Sequence, residues 1–210
     1  MSVVRRTTLC AGGILAATAV LGACGGGPGS SGSSATTSAP PSAKVGGSSS
    51  APEINPAGDI PDNQVYVPFS PAGGLFSVKV PEGWARSQNG TATIFGDKLN
   101  SIRIETQPAS AAPTVSSATS QELPKIKSAA HGFVPGNVTT VGRKAGQAVR
   151  ITYRADSAPN PVTGKTVVDA VERYDFWHAG QEVVLTLSGP TGADNVDPWK
   201  LVTDSVQWQR

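Results

Sequence analysis

Apolar residues recur at every second position in segment after segment of the last two thirds of this chain, and that spacing restricts the fold most. Phe76, Val78 and Val80 alternate with Ser77 and Lys79. Ile102 and Ile104 alternate with Arg103 and Glu105, and Val149, Ile151 and Tyr153 with Arg150, Thr152 and Arg154. Val183, Leu185 and Leu187 alternate with Val184, Thr186 and Ser188. Successive strand side chains point to opposite faces, so a period of two is the mark of a half-buried strand. Residues 166–177 are less regular, with Val168, Tyr174 and Phe176 on one face and Asp169, Arg173 and Asp175 on the other. Gln88-Asn89-Gly90 is a hairpin turn signal, and residues 91–95 return as the partner strand. One polar face per strand predicts a sheet covered mainly on one side.

Two segments depart from this pattern. Residues 115–130 are rich in Ser, Ala, Lys and Glu and suit a helix, in which Pro124 predicts a kink or a break. Near the end, Asp197-Pro198 reads as an N-cap with proline at the first helical position. Val196, Trp199, Val202 and Val206 then form one apolar stripe on a C-terminal helix. Strands, helix, strands, helix is an α+β order around a mostly antiparallel sheet.

The first 64 residues cannot take part in such a fold. Arg5 and Arg6 precede a 13-residue apolar run from Leu9 to Leu21, too short to cross a ~30 Å hydrocarbon slab as a helix. A charged start, an apolar core and small residues at its end are the parts of a signal peptide. Leu21-Gly22-Ala23-Cys24 resembles the lipobox of bacterial lipoproteins. That resemblance implies signal-peptidase recognition through Leu21, Gly22 and Ala23 and lipidation of Cys24. It places the protein on the outer face of the bacterial cytoplasmic membrane, held by a lipid anchor. Arg5-Arg6 leaves both the general and the twin-arginine export routes open. Residues 24–64 are dominated by Gly, Ser, Pro, Thr and Ala and lack the apolar surface to offset ordering entropy. They read as a disordered tether, open to O-glycosylation, with an r.m.s. span of roughly 35 Å. The organisation expected is a leader over residues 1–23, the lipidated tether over 24–64 and one domain over 65–210.

Processing changes the chemistry left to the domain. Only two cysteines exist; Cys10 leaves with the leader and Cys24 carries lipid, so no disulfide is available. The 17 basic and 15 acidic residues balance once Arg5 and Arg6 are removed. No basic patch remains to argue for nucleic acid.

Leu75-Phe76-Ser77-Val78-Lys79-Val80-Pro81-Glu82-Gly83-Trp84 resembles the opening strand and Pro-x-x-Trp turn of PsbP-like domains. With the lipobox and tether, the chain resembles actinobacterial Lpq-type lipoproteins. The resemblance implies a PsbP-like sandwich and an accessory or partner-binding role.

Catalytic motifs are sparse in the chain. His131 and His178 have no second ligand at metal spacing, and no cofactor or metal is expected. Thr163-Gly164-Lys165-Thr166 mimics the end of a phosphate loop, but Pro159 stands where its first glycine belongs. A Ser/His/Asp hydrolase site needs only to assemble in space and stays open. Residues 155–165 form a long Pro-marked loop, and such loops on rigid sheets commonly bind partners. Pro159, Asn160, Pro161 and Trp177 are therefore the candidate partner surface. The favoured reading is a non-enzymatic, membrane-anchored binding or accessory module of the envelope. The alternatives are a carrier of an envelope lipid or small apolar ligand, and a hydrolase.

Overall fold

A computed structural model describes residues 56–160 and 162–209. The leader, the lipobox residues Leu21, Gly22, Ala23 and Cys24, most of the tether and Pro161 lie outside the described residues.

The described residues hold ten strands and two helical segments in the expected order of strands, helix, strands, helix, except that the tenth strand, two residues long, follows the last helix. A small sheet holds β1 (Tyr66–Phe69), β2 (Phe76–Pro81) and β10 (Gln207–Trp208) in the order β1-β2-β10. The large sheet holds β3 (Ala85–Asn89), β4 (Ala92–Asp97), β5 (Asn100–Pro108), β6 (Val134–Arg143), β7 (Gly146–Asp156), β8 (Val168–His178) and β9 (Gln181–Pro190). Its order is β3-β4-β5-β9-β8-β7-β6. Every pairing is antiparallel. The domain is an α+β fold of mostly antiparallel sheet, as the alternation requires.

The register is set by tight turns. Asn89 pairs with Ala92, leaving Gly90-Thr91 as a two-residue hairpin loop with Gly90 at φ 60. His178 pairs with Gln181 across Ala179-Gly180, both at positive φ. A non-glycine residue in that region is uncommon, so the hairpin rather than Ala179's own preference dictates the conformation.

The main core lies between the two sheets. Phe76, Val78 and Val80 of β2 meet Ile102, Ile104, Tyr174, Phe176, Val183, Leu185 and Leu187, all buried. Helix α3 (Val196–Asp204) closes this core with Trp199 and Val202, and Val206 follows it inward. The expected stripe holds except at Val196, which is 71% exposed. Asn195 is the N-cap, not Asp197, and its side chain makes no cap bond. Asn195 is buried instead in a polar junction. Its Oδ1 accepts from the Ile60 N–H at 2.8 Å, and its Nδ2 donates to Gly58 O (3.0 Å) and Asn100 Oδ1 (3.1 Å). Asn100 Nδ2 also donates to Gly58 O at 2.8 Å.

That junction corrects the expected boundary at residue 65. Residues 58–60 are clamped onto the domain, and Ile60 is buried in its main core. A single isoleucine among Gly, Pro and Asp is too weak a signal to lift such a segment out of a tether-like composition.

The second face of the large sheet is also covered, contrary to the one-sided expectation. Residues 115–129 form a helix in three pieces: α1 (Val115–Ser117), a π turn (Ala118–Glu122) and α2 (Leu123–Ala129). Pro124 lacks an N–H and crowds the preceding turn, and the irregularity falls immediately before it. Thr114 caps the start, accepting from the Ser117 N–H at 3.0 Å. Ala118 is buried with Val149 and Ile151, and Leu123, Ile126, Val138 and Tyr153 pack around them.

Candidate functional site

Strand β8 carries the polar residues of this helix-side face. Asp169, Val171, Arg173, Asp175 and Trp177 alternate along it, with Tyr174 and Phe176 turned into the main core. Asp169 and Asp175 are six residues apart, about 20 Å along a strand. A cleft opens at each end.

The first cleft lies under the loop singled out in the sequence. β7 leaves the sheet at Asp156, and the chain returns in β8 at Val168. The loop is fastened by its own polar groups. Asn160 Oδ1 accepts from the Val162 and Thr163 N–H groups, both at 2.9 Å. The Asn160 N–H donates to Lys165 O (2.9 Å), and Ser157 and Val167 exchange two bonds (2.8 and 3.1 Å). An asparagine that bonds the backbone two residues on is a turn maker, which explains Asn160. Between this loop and the β4–β5 turn lies a space of about 240 Å³. Pro159, Asn160 and Lys165 form one wall and Lys98 and Asn100 the other, over a floor of Asp169 and Ser188. Asp169 is only 6% exposed and its Oδ1 accepts no hydrogen bond. Burial pushes its carboxyl up to about pH 6, with the Ser188 hydroxyl opposing.

Trp177 does not join that surface. It stands at the other end of β8, half-buried, and its Nε1–H donates to Ala109 O at 2.8 Å. The indole thus ties down Ala109, at the start of the segment 109–113. The structure brings Pro159 and Asn160 together and leaves Trp177 a strand's length away.

The second cleft, about 440 Å³, lies beside Trp177 under residues 108–113. Three carboxylates line it, from Glu122 of the π turn, Asp175 of β8 and Glu182 of β9. Asp175 is wholly buried. Burial pushes its carboxyl up to about pH 6; Arg173 opposes that shift, and Glu182 and Glu122 add to it. Arg173 Nε approaches Asp175 Oδ1 at 3.0 Å, though not in hydrogen-bonding alignment. The same guanidinium reaches Glu122 Oε2 at 3.4 Å. Of the three residues that share this strand face, Arg173 pairs along its own strand with Asp175 and with Glu122 of the helical segment, and Asp169 makes no ion pair among the described residues. A visible cue was the small-residue run Pro108-Ala-Ser-Ala-Ala-Pro113, which leaves room above Asp175.

Both imidazoles sit apart from the clefts. His178 is exposed and stacks on Trp208 at 5.1 Å between ring centres, and His131 lies on an exposed turn.

No protein-family profile and no curated protein sequence matches the chain. Solved structures do match in fold. PsbP of the cyanobacterium Synechocystis sp. PCC 6803 (CyanoP) aligns at a TM-score of 0.50 and 12% identity, over 74% of this chain and 99% of that one. The Ran-binding protein Mog1p of Saccharomyces cerevisiae aligns at 0.45 and 12% identity, over 69% and 96% of the two chains. LpqN of Mycobacterium tuberculosis, described as involved in cell envelope biogenesis, aligns at 0.42 and 10%, over 71% and 93%. The described domain has a PsbP-like α+β fold.

Proposed function

We propose that this protein is a lipoprotein held through Cys24 on the outer face of the bacterial cytoplasmic membrane, where its PsbP-like domain acts as a non-enzymatic binding or accessory module of the envelope. The observation that carries the reading is the pairing of two carboxylate-bearing clefts with two remote histidines. Each cleft holds a buried aspartate with an oxygen that accepts no hydrogen bond, Asp169 in one and Asp175 in the other, and neither imidazole lines either cleft. A Ser/His/Asp hydrolase needs one of these imidazoles to reach the proton it takes, directly or through one water. The carboxylates in their linings also favour polar or charged partners over a purely apolar ligand. An envelope-lipid carrier needs an apolar hollow between helix and sheet, and there Ala118, Val149 and Ile151 are close-packed.

Two measurements test this. Cys24→Ala is expected to release the protein from membranes with the domain still folded; full retention in the membrane fraction refutes the anchor. In a deletion strain, the double variant His131→Ala/His178→Ala is expected to complement, and Asn160→Ala, which unfastens the loop, to complement poorly at equal surface abundance. The reverse pattern favours a hydrolase.

A further inference from the structure

We infer that the cleft under residues 108–113 is a binding site for a primary ammonium on a slim alkyl chain, with Asp175 and Glu182 as its anionic partners. This goes beyond the accessory reading and does not depend on the anchor.

The first argument is charge. Trp177 pairs with Glu182 and Asp175 with Val184, so Asp175 and Glu182 are diagonal neighbours on one face of adjacent strands. Like charges so placed repel. The groups facing them are few. Arg173 contacts Asp175 Oδ1 and Glu122 Oε2. Lys125 Nζ holds Glu122 Oε1 at 2.9 Å and is otherwise exposed. Gln107 Nε2 donates to Glu182 Oε2 at 2.6 Å. Asp175 Oδ2, in a wholly buried side chain lining the cleft, accepts nothing. A buried acceptor of this kind is costly unless a donor reaches it.

The second argument is shape. Ala109, Ala111, Ala112 and Ala118 line the approach together with Ser110, Ser117 and Gln121, so short side chains leave room for a slim chain to enter beside the carboxylates. An ammonium brings three donors and needs few acceptors, and its alkyl stem suits alanine walls. A calcium ion requires six to eight oxygens, and among the described residues no three His, Cys, Asp or Glu side chains are grouped as a metal would need. A bound cation also favours the ionised form of Asp175, whose carboxyl otherwise stays protonated up to about pH 6.

A free amine and a lysine side chain on a partner share this chemistry, and the test separates them. The full chain in detergent is titrated calorimetrically, at fixed ionic strength and pH 7.5, with n-butylammonium and with the capped peptide Ala-Lys-Ala. Saturable binding of n-butylammonium is expected, weaker at pH 5 than at pH 7.5, with tetramethylammonium excluded. Asp175→Asn and Glu182→Gln are each expected to weaken it about tenfold or more. Ala111→Trp, placed on the exposed loop, is expected to abolish binding by filling the cleft with the carboxylates intact. Each variant's melting curve is checked against that of the unaltered protein. Tighter binding of the peptide identifies a protein partner's lysine as the source, and equal or weaker binding a free amine. No saturable binding of n-butylammonium, or binding unchanged in Ala111→Trp and in Asp175→Asn, overturns the inference.

Discussion

Replacing Asn195 with Ala tests how residues 58–60 are held. Asn195 is 3% exposed and makes three side-chain bonds, none of them a helix cap. Alanine leaves the Ile60 N–H without its acceptor and Asn100 Oδ1 without its donor, both in buried residues. Gly58 O keeps the bond from Asn100. Each orphaned buried group costs about 1–3 kcal/mol. Partial relaxation brings the expected total to about 2–4 kcal/mol, against roughly 5–15 kcal/mol for a whole domain. With a urea m-value of about 2 kcal/mol/M, the midpoint should fall by about 1–2 M at unchanged m. Hydrogen exchange at the Ile60 amide should accelerate further, because residues 58–60 detach first. Asp197→Ala is the control: it is exposed and outside the junction, and should cost no more than about 1 kcal/mol through the helix dipole. A second route to the same damage is Gly189→Ala, whose Cβ would stand 2.4 Å from Asn100 Oδ1. A midpoint for Asn195→Ala within about 0.3 M of the unaltered protein refutes the reasoning.

Further outcomes follow from the same structure. Asp169 and Asp175 have folded-state carboxyls raised to about pH 6, so the folded chain binds more protons than the unfolded one between about pH 4 and 6. Stability should therefore fall as pH rises through that window, and Asp175→Asn should flatten the slope in urea titrations at pH 4.5–7.5; a rising slope in that range contradicts the burial of these groups. Truncation before Asp197 removes Trp199, Val202 and Val206 from the core, about 4.5–9 kcal/mol of burial, and should abolish cooperative melting. Trp177→Phe removes the bond to Ala109 and should raise proteolytic cleavage within residues 109–113 without a large change in global midpoint.

The strands were legible because period two survives wherever one face is buried. Phe76, Val78, Val80, Ile102, Ile104 and Leu185 all lie in the core on the face their spacing implies. The helix over residues 115–129 and its irregularity at Pro124 were legible for equally local reasons. What escaped was non-local. Val184 and Asp175 look like outward positions in an alternating strand, yet both are buried, and Asp175 lies beside the segment 108–122 some fifty to seventy residues earlier. Asn195 looks like an ordinary polar residue before a helix, and its partners lie 95 to 137 residues away. The site was half legible. Loop chemistry singled out Pro159 and Asn160, but the carboxylates beneath them and the distance to Trp177 depend on strand register.

The junction around Asn195 also determines how the domain bears a load. A pull on the chain ahead of Pro56 enters the fold at Gly58 and Ile60, and two asparagines resist it. One of them, Asn100, opens β5 and forms a wall of the loop cleft. Tension along the chain and occupancy of that cleft therefore act on the same side chain. A molecule bound against Asn100 would raise the force needed to peel residues 58–60 away, and a steady pull would loosen that wall of the cleft.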